Sequence, residues 1–390
     1  MRILFAVAPS VAHLFPMIST VWAARAAGHD VALTTSSAAV DGAVRAGLPV
    51  LDAAPDVDFG AIFGKSKGTA QDRAEQARRR GRAIAEAGGT TPDFVLERFA
   101  TISDVMADET LAFARRWKPD LVVYSRLQGA GLLAARALDL PAVEHGFGFL
   151  REPTFPERYL PHLAPIFDRH DVPLELPPIT PLHLAPPSMM IGAETGRTMR
   201  YVPYNAGGVL PPWFAHPATR PRIGVTLGTV VPQMSGYGSV ESVLAAADGV
   251  DAEFVLALGD DPDLSGLAPL PDNVRLVGWV PLTNLLAHCD ALIHHGGSGT
   301  TLTALCAGVP QIAMPHGADD FINADLVARH GIGYNLEPSQ IDSRTLKALP
   351  HDPSLRQAAA RVAAEIAHQP PPAALLPDLL DLAASARAPH

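Results

Sequence analysis

Short apolar runs that alternate with helical stretches constrain the fold of this 390-residue sequence more than any other feature. The first run, Arg2–Ala8, reads as a buried strand, and a helix is predicted to begin at Ser10 or Val11 and to end before Gly28. A second strand, predicted over Asp30–Thr35, completes a β-α-β unit. Near-continuous apolar strands of this kind are typical of parallel sheets that helices cover on both faces.

The same alternation recurs in two series along the chain. The first series continues with a helix, a strand, a helix and a strand over Ala107–Trp117, Leu121–Tyr124, Gly129–Leu138 and Ala142–His145. The second series has strands predicted over Arg222–Leu227, Glu253–Leu258, Val274–Val277, Ala291–His294 and Gln311–Met314. We therefore predict an α/β protein of two Rossmann-like domains that face each other across a cleft.

The boundaries follow from composition. Residues 204–221 contain four prolines and two adjacent glycines, which is typical of a linker. We predict a first domain over 1–205, a linker over 206–221, a second domain over 222–372, and a helix over 373–390 that crosses back to the first domain.

Charge and cysteine content exclude several classes of protein. The 30 Lys and Arg residues against 40 Asp and Glu give a net charge of −10, without the basic surface that nucleic-acid binding requires. Two cysteines are too few for a disulfide scaffold or a multi-cysteine zinc module. These features predict a reduced, cytoplasmic protein.

Residues 3–24 carry no Asp, Glu, Lys or Arg, and a stretch of that length could span a membrane. Arg2 before it would also suit a signal peptide. Pro9, Ser10 and Pro16 interrupt the apolar run. A buried strand followed by a buried helix explains the stretch better.

The segment 58–93 is a basic insertion with a predicted polar helix. Its cationic residues are Lys65, Lys67, Arg73, Arg78, Arg79, Arg80 and Arg82. Two interpretations remain open: a solvated surface helix, and a mobile lid over an acceptor cleft.

The most informative run is Leu292–Thr301, LIHHGGSGTT. A strand is predicted to end at His294, and a helix to begin at Ser298 or Thr300 and to end near Ala307 with Gly308 as its cap. Free N–H groups in a first helical turn favour an anion, and glycines allow it a close approach, so the run predicts a diphosphate site. Neither the dinucleotide nor the P-loop glycine motif is present.

Side chains around this run suit the same chemistry. His295 can donate a hydrogen bond to a phosphate oxygen, and Ser298, Thr300 and Thr301 offer hydroxyl groups. A tight turn with buried histidines is the structural alternative. A metal site at His294 and His295 is disfavoured, because neighbouring side chains on a strand point to opposite faces.

Two further sites follow predicted strands. In Met314–Asn323, Asp319 and Asp320 would cap a helix or accept hydrogen bonds from sugar hydroxyls. His13 follows the first strand, where open α/β sheets bind ligands, and a neutral imidazole is the usual general base. A histidine in an apolar stretch is also often purely structural.

Together these pieces resemble the bacterial natural-product glycosyltransferases of the two-domain GT-B architecture, which attach deoxysugars to antibiotic aglycones. The resemblance rests on HHGGSGTTLTALCAGVPQIAMPHGADDFINADLV, on the opening thirty residues, on the RYVPYNAGG segment and on the VGWVPL turn over Val277–Leu282. It covers essentially the whole chain.

The resemblance implies a role for each matching position. His13 looks like the base that deprotonates the acceptor, and Asp319, with Asp320, the sugar-binding acid. The implied diphosphate contacts are Thr229, His295, Gly297, Ser298, Gly299 and Thr300. Trp279 and Val280 resemble the nucleobase platform. Ser125, His145 and Phe147 are candidates for the acceptor site.

The sequence departs from the family pattern at three places. Ala12 precedes the histidine where glycine is common, and Asp320 stands where glutamine is common. The strand that usually leads to the carboxylate partner of the histidine leads here to Ser125. We consider Asp104 and Asp108 as replacements, or no partner at all.

The resemblance thus implies an inverting transferase that uses a dTDP-sugar and an apolar aglycone, with no metal and no other cofactor. UDP-sugars, C-glycosylation, an epimerase and a non-catalytic glycosyltransferase-like partner remain alternatives. As partners we expect only the donor and the acceptor, with no nucleic acid and no membrane span. A homodimer and an auxiliary protein stay open.

Overall fold

The computed structural model describes residues 1–62, 69–229, 231–232, 236–260, 262 and 270–386. It separates into two compact units. The first unit comprises Met1–Lys65, Gly89–Tyr204 and His368–His390, and the second comprises Ser66–Gly88 and Asn205–Ala367.

Strands and helices alternate through both units. The strands are β1 Arg2–Ala6, β2 Asp30–Thr35, β3 Val50–Asp52, β4 Leu121–Ser125, β5 Ala142–His145, β6 Ile179–His183, β7 Arg197–Thr198, β8 Arg222–Thr226, β9 Glu253–Ala257, β10 Val274–Val277, β11 Ala291–His294, β12 Gln311–Ala313 and β13 Gly333–Asn335. The helices are α1 Val11–Ala26, α2 Ala38–Arg45, α3 Phe59–Ile62, α4 Ala70–Glu86, α5 Asp93–Trp117, α6 Gly129–Ala137, α7 Phe155–Tyr159, α8 Ala164–Arg169, α9 Gly238–Ala247, α10 Leu282–Leu286, α11 Ser298–Ala307, α12 Asp320–Arg329, α13 Ser343–Ala348, α14 Pro353–His368 and α15 Pro372–Ala386.

In the described part of the first unit, seven strands form a parallel sheet in the order β3-β2-β1-β4-β5-β6-β7. Strands β1 and β4 are its buried centre. Helix α1 begins directly after β1, because the Ser10 side chain accepts a hydrogen bond from the Ala12 N–H and caps the helix. Its start therefore lies at the carboxyl edge of the central strands.

The C-terminal helix α15 belongs to the first unit, where it packs against α1. Arg197 forms an ion pair with Asp378 at 2.7 Å, and the Arg200 N–H donates to the Pro370 carbonyl at 2.9 Å. The chain enters this unit at His368, a few residues before the predicted boundary at 372.

In the described part of the second unit, six parallel strands follow the order β10-β9-β8-β11-β12-β13. This unit begins at Asn205, so the predicted linker is part of it. Within that segment, Trp213 and Phe214 pack against the cluster around Val277, and the Arg222 guanidinium lies 4.5 Å from the Trp213 ring centre. These aromatic contacts hold part of the predicted linker, Trp213 and Phe214, against the second unit.

The basic insertion is also placed differently from the prediction. Helix α4 starts with a capping box, in which Thr69 and Asp72 exchange side-chain and backbone hydrogen bonds. Residues 69–88 belong to the second unit, although the prediction assigned them to the first domain. The predicted cations Lys65 and Lys67 lie outside the described residues.

Several predicted bounds are confirmed, including β2, β5, β10 and β11. Strands β3 and β13, each of three residues, were not predicted, because a run of that length carries no clear periodic pattern. Among the described helices, none is both long enough and apolar enough to cross a membrane.

Candidate active site

His13 lies in the first turn of α1 with only 6% of its surface exposed. Its ring centre is 4.2 Å from that of Phe147 and 5.7 Å from that of Phe99. Nδ1 is buried and has no hydrogen-bond partner among the described residues. Burial lowers the pKa of His13 from 6.5 to about 4, so the imidazole is neutral at neutral pH.

The carboxylates considered as partners of His13 are engaged elsewhere. Asp104 and Asp108, on an exposed face of α5, form ion pairs with Arg169, and Asp108 also contacts His170. These ion pairs disfavour both residues as the partner of His13 and fit the alternative of no carboxylate partner. The Ser125 hydroxyl, in turn, accepts a hydrogen bond from the Ala8 N–H at 3.0 Å and so fixes the loop before α1.

His145, a candidate for the acceptor site, is fully buried, and its two ring nitrogens are both used. Nδ1 donates to the Gly146 carbonyl at 2.9 Å, since a carbonyl oxygen only accepts. Nε2 therefore accepts from the Thr20 hydroxyl, also at 2.9 Å. Burial lowers the pKa of His145 to about 4. The pair ties α1 to β5 and holds the helix that carries His13.

In the second unit, the glycine-rich turn forms as predicted between β11 and α11. The helix covers Ser298–Ala307 and ends at Gly308, whose φ of 67° is left-handed. His294 is buried beneath the turn: its Nδ1 accepts from the Gly296 N–H at 3.1 Å, and its Nε2 donates to Gln311 at 2.9 Å. His294 thus shapes the turn, and Gln311 is a supporting residue that the sequence did not single out.

The ring of His295 is enclosed by two glycines. A Cβ at Gly228 would lie 2.5 Å from its Cε1, and a Cβ at Gly297 would overlap its Nε2. Burial, together with the neighbouring His294 and His316, lowers the pKa of His295 to about 3. Its Nδ1 is buried without a partner among the described residues. Because Gly228 directly precedes Thr229, the enclosure brings Thr229 to the same turn.

The hydroxyl groups of the turn divide into two kinds. Those of Ser298 and Thr301 are used internally, the first by Asp319 and the second by the Gly296 and Gly297 carbonyls. The expectation that both are available to a phosphate is therefore wrong. The Thr300 hydroxyl has no partner within the described chain. First-turn N–H groups have no intrahelical acceptor, which leaves those of Ser298 and Thr300 for an anion.

Asp319 and Asp320 have different surroundings. The Asp319 carboxylate accepts from Ser298 at 2.5 Å and from the Asn323 amide at 3.3 Å. Asp320 is buried, and its carboxylate accepts from the N–H groups of His316 and Gly317 at 3.3 and 3.1 Å. Burial, with Asp319 nearby, raises the pKa of Asp320 well above its usual value.

Asp320 therefore shapes its own loop, and its assignment as a direct sugar contact does not fit this arrangement. Asn323 is a supporting residue that sequence reasoning missed, although its spacing of four from Asp319 on a predicted helix was a usable signal. It also donates to the Gly296 carbonyl at 2.8 Å. Asn323 thereby joins the loop after β12 to the glycine-rich turn.

Trp279 and Val280 follow β10. Trp279 is partly exposed, and its main-chain N–H donates to Oδ1 of Asp260 at 2.6 Å. The Val280 side chain is buried in the cluster with Val277 and Leu285. Because the Trp279 side chain is partly exposed, its ring offers a stacking surface. The buried Val280 can contact a ligand only through its main chain.

Among the described residues, no group of three or more His, Cys, Asp or Glu side chains is arranged to hold a metal ion. The absence of a metal from the reaction stays a prediction.

Two α/β units with parallel sheets, the second with a helix start beside an enclosed histidine, match the GT-B class of fold. SnogD from Streptomyces nogalater, a glycosyltransferase, has a similar crystal structure, with a TM-score of 0.84, 38% identity and coverage of 98% of this chain and 99% of that one. SsfS6 from Streptomyces sp. SF2575, complexed with thymidine diphosphate, has a TM-score of 0.78 and 29% identity, covering 98% and 99%.

The sequence matches the N-terminal and C-terminal domains of erythromycin biosynthesis protein CIII-like proteins over residues 22–228 and 241–382. The elloramycin glycosyltransferase ElmGT of Streptomyces olivaceus is 39% identical over 382 residues, 96% of this chain and 95% of that protein. The chain belongs to the erythromycin biosynthesis protein CIII-like family and is a glycosyltransferase.

Proposed function

We propose that this enzyme transfers a deoxysugar from a dTDP-sugar to a hydroxyl group of an antibiotic aglycone, with inversion of the anomeric carbon. The observation that carries the proposal is the enclosure of His295 beside the first turn of α11. His295 has a buried Nδ1 without a partner among the described residues, and its ring adjoins Gly297, the residue before the free N–H groups of that helix start. Together these groups suit a diphosphate. The thymidine diphosphate bound to SsfS6 and the name of the elloramycin enzyme support the choice of donor and acceptor.

In this scheme the acceptor oxygen attacks the anomeric carbon from the face opposite the diphosphate. The bond from that carbon to the leaving oxygen breaks as the new bond forms, and this single displacement inverts the centre. Negative charge grows on the dTDP leaving group. The N–H groups of Ser298 and Thr300, together with His295, stabilise it.

His13 takes the proton from the acceptor. It is neutral at neutral pH, as a base must be, and Nε2 is the nitrogen assigned to the acceptor because Nδ1 is enclosed. No carboxylate lies at Nδ1 among the described residues to stabilise the imidazolium ion. The base is therefore weak, and an acidic acceptor such as a phenol is favoured over an aliphatic alcohol.

Recognition of the donor uses residues that follow four strands of the second unit, β8, β10, β11 and β12. Trp279 stacks on the thymine ring, and main-chain groups near Val280 add hydrogen bonds. Thr229 and Thr300 contact the phosphates. Asp319, oriented by Ser298 and Asn323, accepts hydrogen bonds from the sugar.

The decisive first experiment is calorimetric titration of the purified protein with dTDP, UDP and NAD⁺. We expect micromolar binding of dTDP, weaker binding of UDP and no binding of NAD⁺. Tighter binding of UDP would overturn the choice of donor. Binding of neither nucleotide would overturn the enzymatic proposal and favour a non-catalytic partner protein.

Incubation with a dTDP-deoxysugar and phenolic aglycones then tests the transfer itself. NMR of the product gives the anomeric configuration, and retention would contradict the single displacement. Acid hydrolysis separates the expected O-glycoside, which releases its sugar, from a C-glycoside, which does not.

A further inference from the structure

Helix α4 reaches the second unit from within the N-terminal part of the chain. It lies between β3 and α5, both of which belong to the first unit, yet it packs against α12 of the second. A cut between Tyr204 and Asn205 would therefore separate α4 from the rest of the second unit.

Helix α4 makes a close contact with residues 317–321, and a glycine lies on each side of it. A Cβ at Gly81 would lie 2.7 Å from Cδ2 of Phe321 and 3.0 Å from the carbonyl carbon of Gly317. A Cβ at Gly317 would in turn lie 3.2 Å from that of Ala77. Gly81 is buried in this contact. The helix thus covers the stretch that leads directly into Asp319 and Asp320.

Charges fix the helix along the same face. Arg78 and Arg82, one helical turn apart, contact the two carboxylate oxygens of Glu337 at 3.0 and 3.2 Å. The Arg82 guanidinium also lies 5.7 Å from the centre of the Phe321 ring. Glu337 follows β13, whereas Gly317 follows the neighbouring strand β12. Helix α4 consequently joins the two loops at the carboxyl edge of these strands.

The opposite face of α4 differs in character. There, Glu75 and Arg79 pair with each other at 2.9 Å, and the Arg79 side chain is 77% exposed. An exposed pair of this kind contributes little to stability. It offers a matched control of similar charge on the same helix.

We infer that α4 determines donor-sugar recognition by holding the loop Met314–Asp319 in the conformation that presents Asp319 to the sugar. The inference rests on the proposed function for the role of Asp319, but the bracing itself does not. The residues that act are positioning residues: Gly81 through its close contact, and Arg78 and Arg82 through Glu337. Sugar specificity would then depend on a segment in the N-terminal half of the chain. A chimera of two such enzymes joined at residue 205 would take α4 from one parent and the rest of the second unit from the other.

The test compares Gly81→Val with Arg79→Gln in the full chain. Valine is no worse than glycine within a helix, so a loss arises from the contact and not from helix propensity. Hydrogen–deuterium exchange of peptides covering 314–321 reports the bracing. Calorimetry with dTDP and with dTDP-glucose reports recognition of the nucleotide and of the sugar separately.

We expect Gly81→Val to raise exchange over 314–321 and to weaken dTDP-glucose binding by about five- to tenfold, the effect of about one misplaced hydrogen bond. Binding of dTDP should change by less than about twofold, because the main-chain N–H groups of Ser298 and Thr300 remain at the turn when Asp319 is displaced. Arg79→Gln should change none of these. Glu337→Gln, a milder change on a partly exposed side chain, should show the same pattern to a smaller degree.

Unchanged hydrogen–deuterium exchange over 314–321 in both Gly81→Val and Glu337→Gln would overturn the inference. Equal losses of dTDP and dTDP-glucose affinity would also overturn it, because α4 would then support the whole unit. Failure of the wild-type protein to bind dTDP would instead refute the proposed function, while the exchange measurement would still decide whether α4 braces the loop.

Discussion

The Ser298 hydroxyl donates a hydrogen bond to Oδ2 of Asp319, with 2.5 Å between the two oxygen atoms. The first residue of α11 is thereby tied to the residue that precedes α12. Asn323 donates to both Ser298 and Asp319, at 3.1 and 3.3 Å, and closes the network. The turn proposed to hold the diphosphate and the carboxylate proposed to hold the sugar are therefore one hydrogen-bonded unit.

Substitution of Ser298 should affect the sugar more than the phosphate. In Ser298→Ala the backbone N–H remains, while Asp319 loses a charge-assisted hydrogen bond. We expect the KM for the dTDP-sugar to rise by about three- to tenfold, with dTDP affinity nearly unchanged. Ser343→Ala, at the exposed start of α13, is the control. A loss of dTDP affinity equal to the loss of sugar-nucleotide affinity would contradict this division of roles.

Removal of His13 should abolish proton transfer without affecting the donor. We expect His13→Ala to lose about 10²–10⁴-fold in kcat with a phenolic acceptor, while calorimetry shows unchanged dTDP affinity. The exposed His351, substituted in the same way, should leave both unchanged. Wild-type turnover by His13→Ala would show that this histidine is not the base.

Enclosure of His295 by Gly228 should be essential for dTDP binding. A Cβ at Gly228 meets the imidazole, so Gly228→Ala should displace it and weaken dTDP binding by about tenfold or more. Gly236→Ala is a matched control: φ is 69° there against 65° at Gly228, but nothing lies within 4 Å of its Cβ. If both variants bind dTDP equally well, the contact between Gly228 and the His295 ring does not determine dTDP affinity.

Thr20→Val tests whether His145 is structural. The substitution leaves Nε2 of His145 buried without its hydroxyl donor, at a cost of about 1–3 kcal/mol in the free energy of unfolding. Urea denaturation measures that cost. The KM for the acceptor should stay near the wild-type value. A large rise in that KM without a loss of stability would instead place His145 in direct contact with the acceptor.

Buried histidines should make the protein sensitive to mild acid. The pKa values of His13, His145 and His294 are lowered from 6.5 to about 4, so these rings stay neutral in the folded chain while the unfolded chain binds protons below pH 6.5. Stability is therefore fully present above pH 6.5 and falls as the pH drops towards 4, by up to about 3 kcal/mol for each ring.

Two buried carboxyls act in the opposite direction, because the raised pKa values of Glu144, to about 7, and of Asp320 favour the folded chain as the pH falls. Histidines with lowered pKa values outnumber them, so the urea midpoint should be lower at about pH 5 than at about pH 7.5. Equal midpoints would contradict this prediction. Because His13 is neutral over the same range, kcat/KM should show no inflection near pH 6.5 until unfolding begins.

Much of the site was accessible from local patterns. The helix at Ser298 with its cap at Gly308, and the start of α1 at Val11, are where the sequence predicts them, because capping residues and glycines act on their immediate neighbours. The partner of Ser298 could not be predicted locally, because only the fold brings Asp319 to its hydroxyl group. The partner of Asp104 could not be predicted locally either, because its ion pair with Arg169 joins residues 65 positions apart in the sequence.

The sequence by itself determined the alternation of strands and helices, the two sheets, and the glycine-rich turn with its histidine. Each of these depends on apolar periodicity or turn chemistry within a few residues. Only the tertiary structure decided that α4 belongs with the second sheet, that Asp320 faces its own loop, and that His295 lies between two glycines. These depend on side chains far apart in the chain, such as Arg78 and Glu337 at a separation of 259 residues, whose meeting is set by packing and not by local pattern.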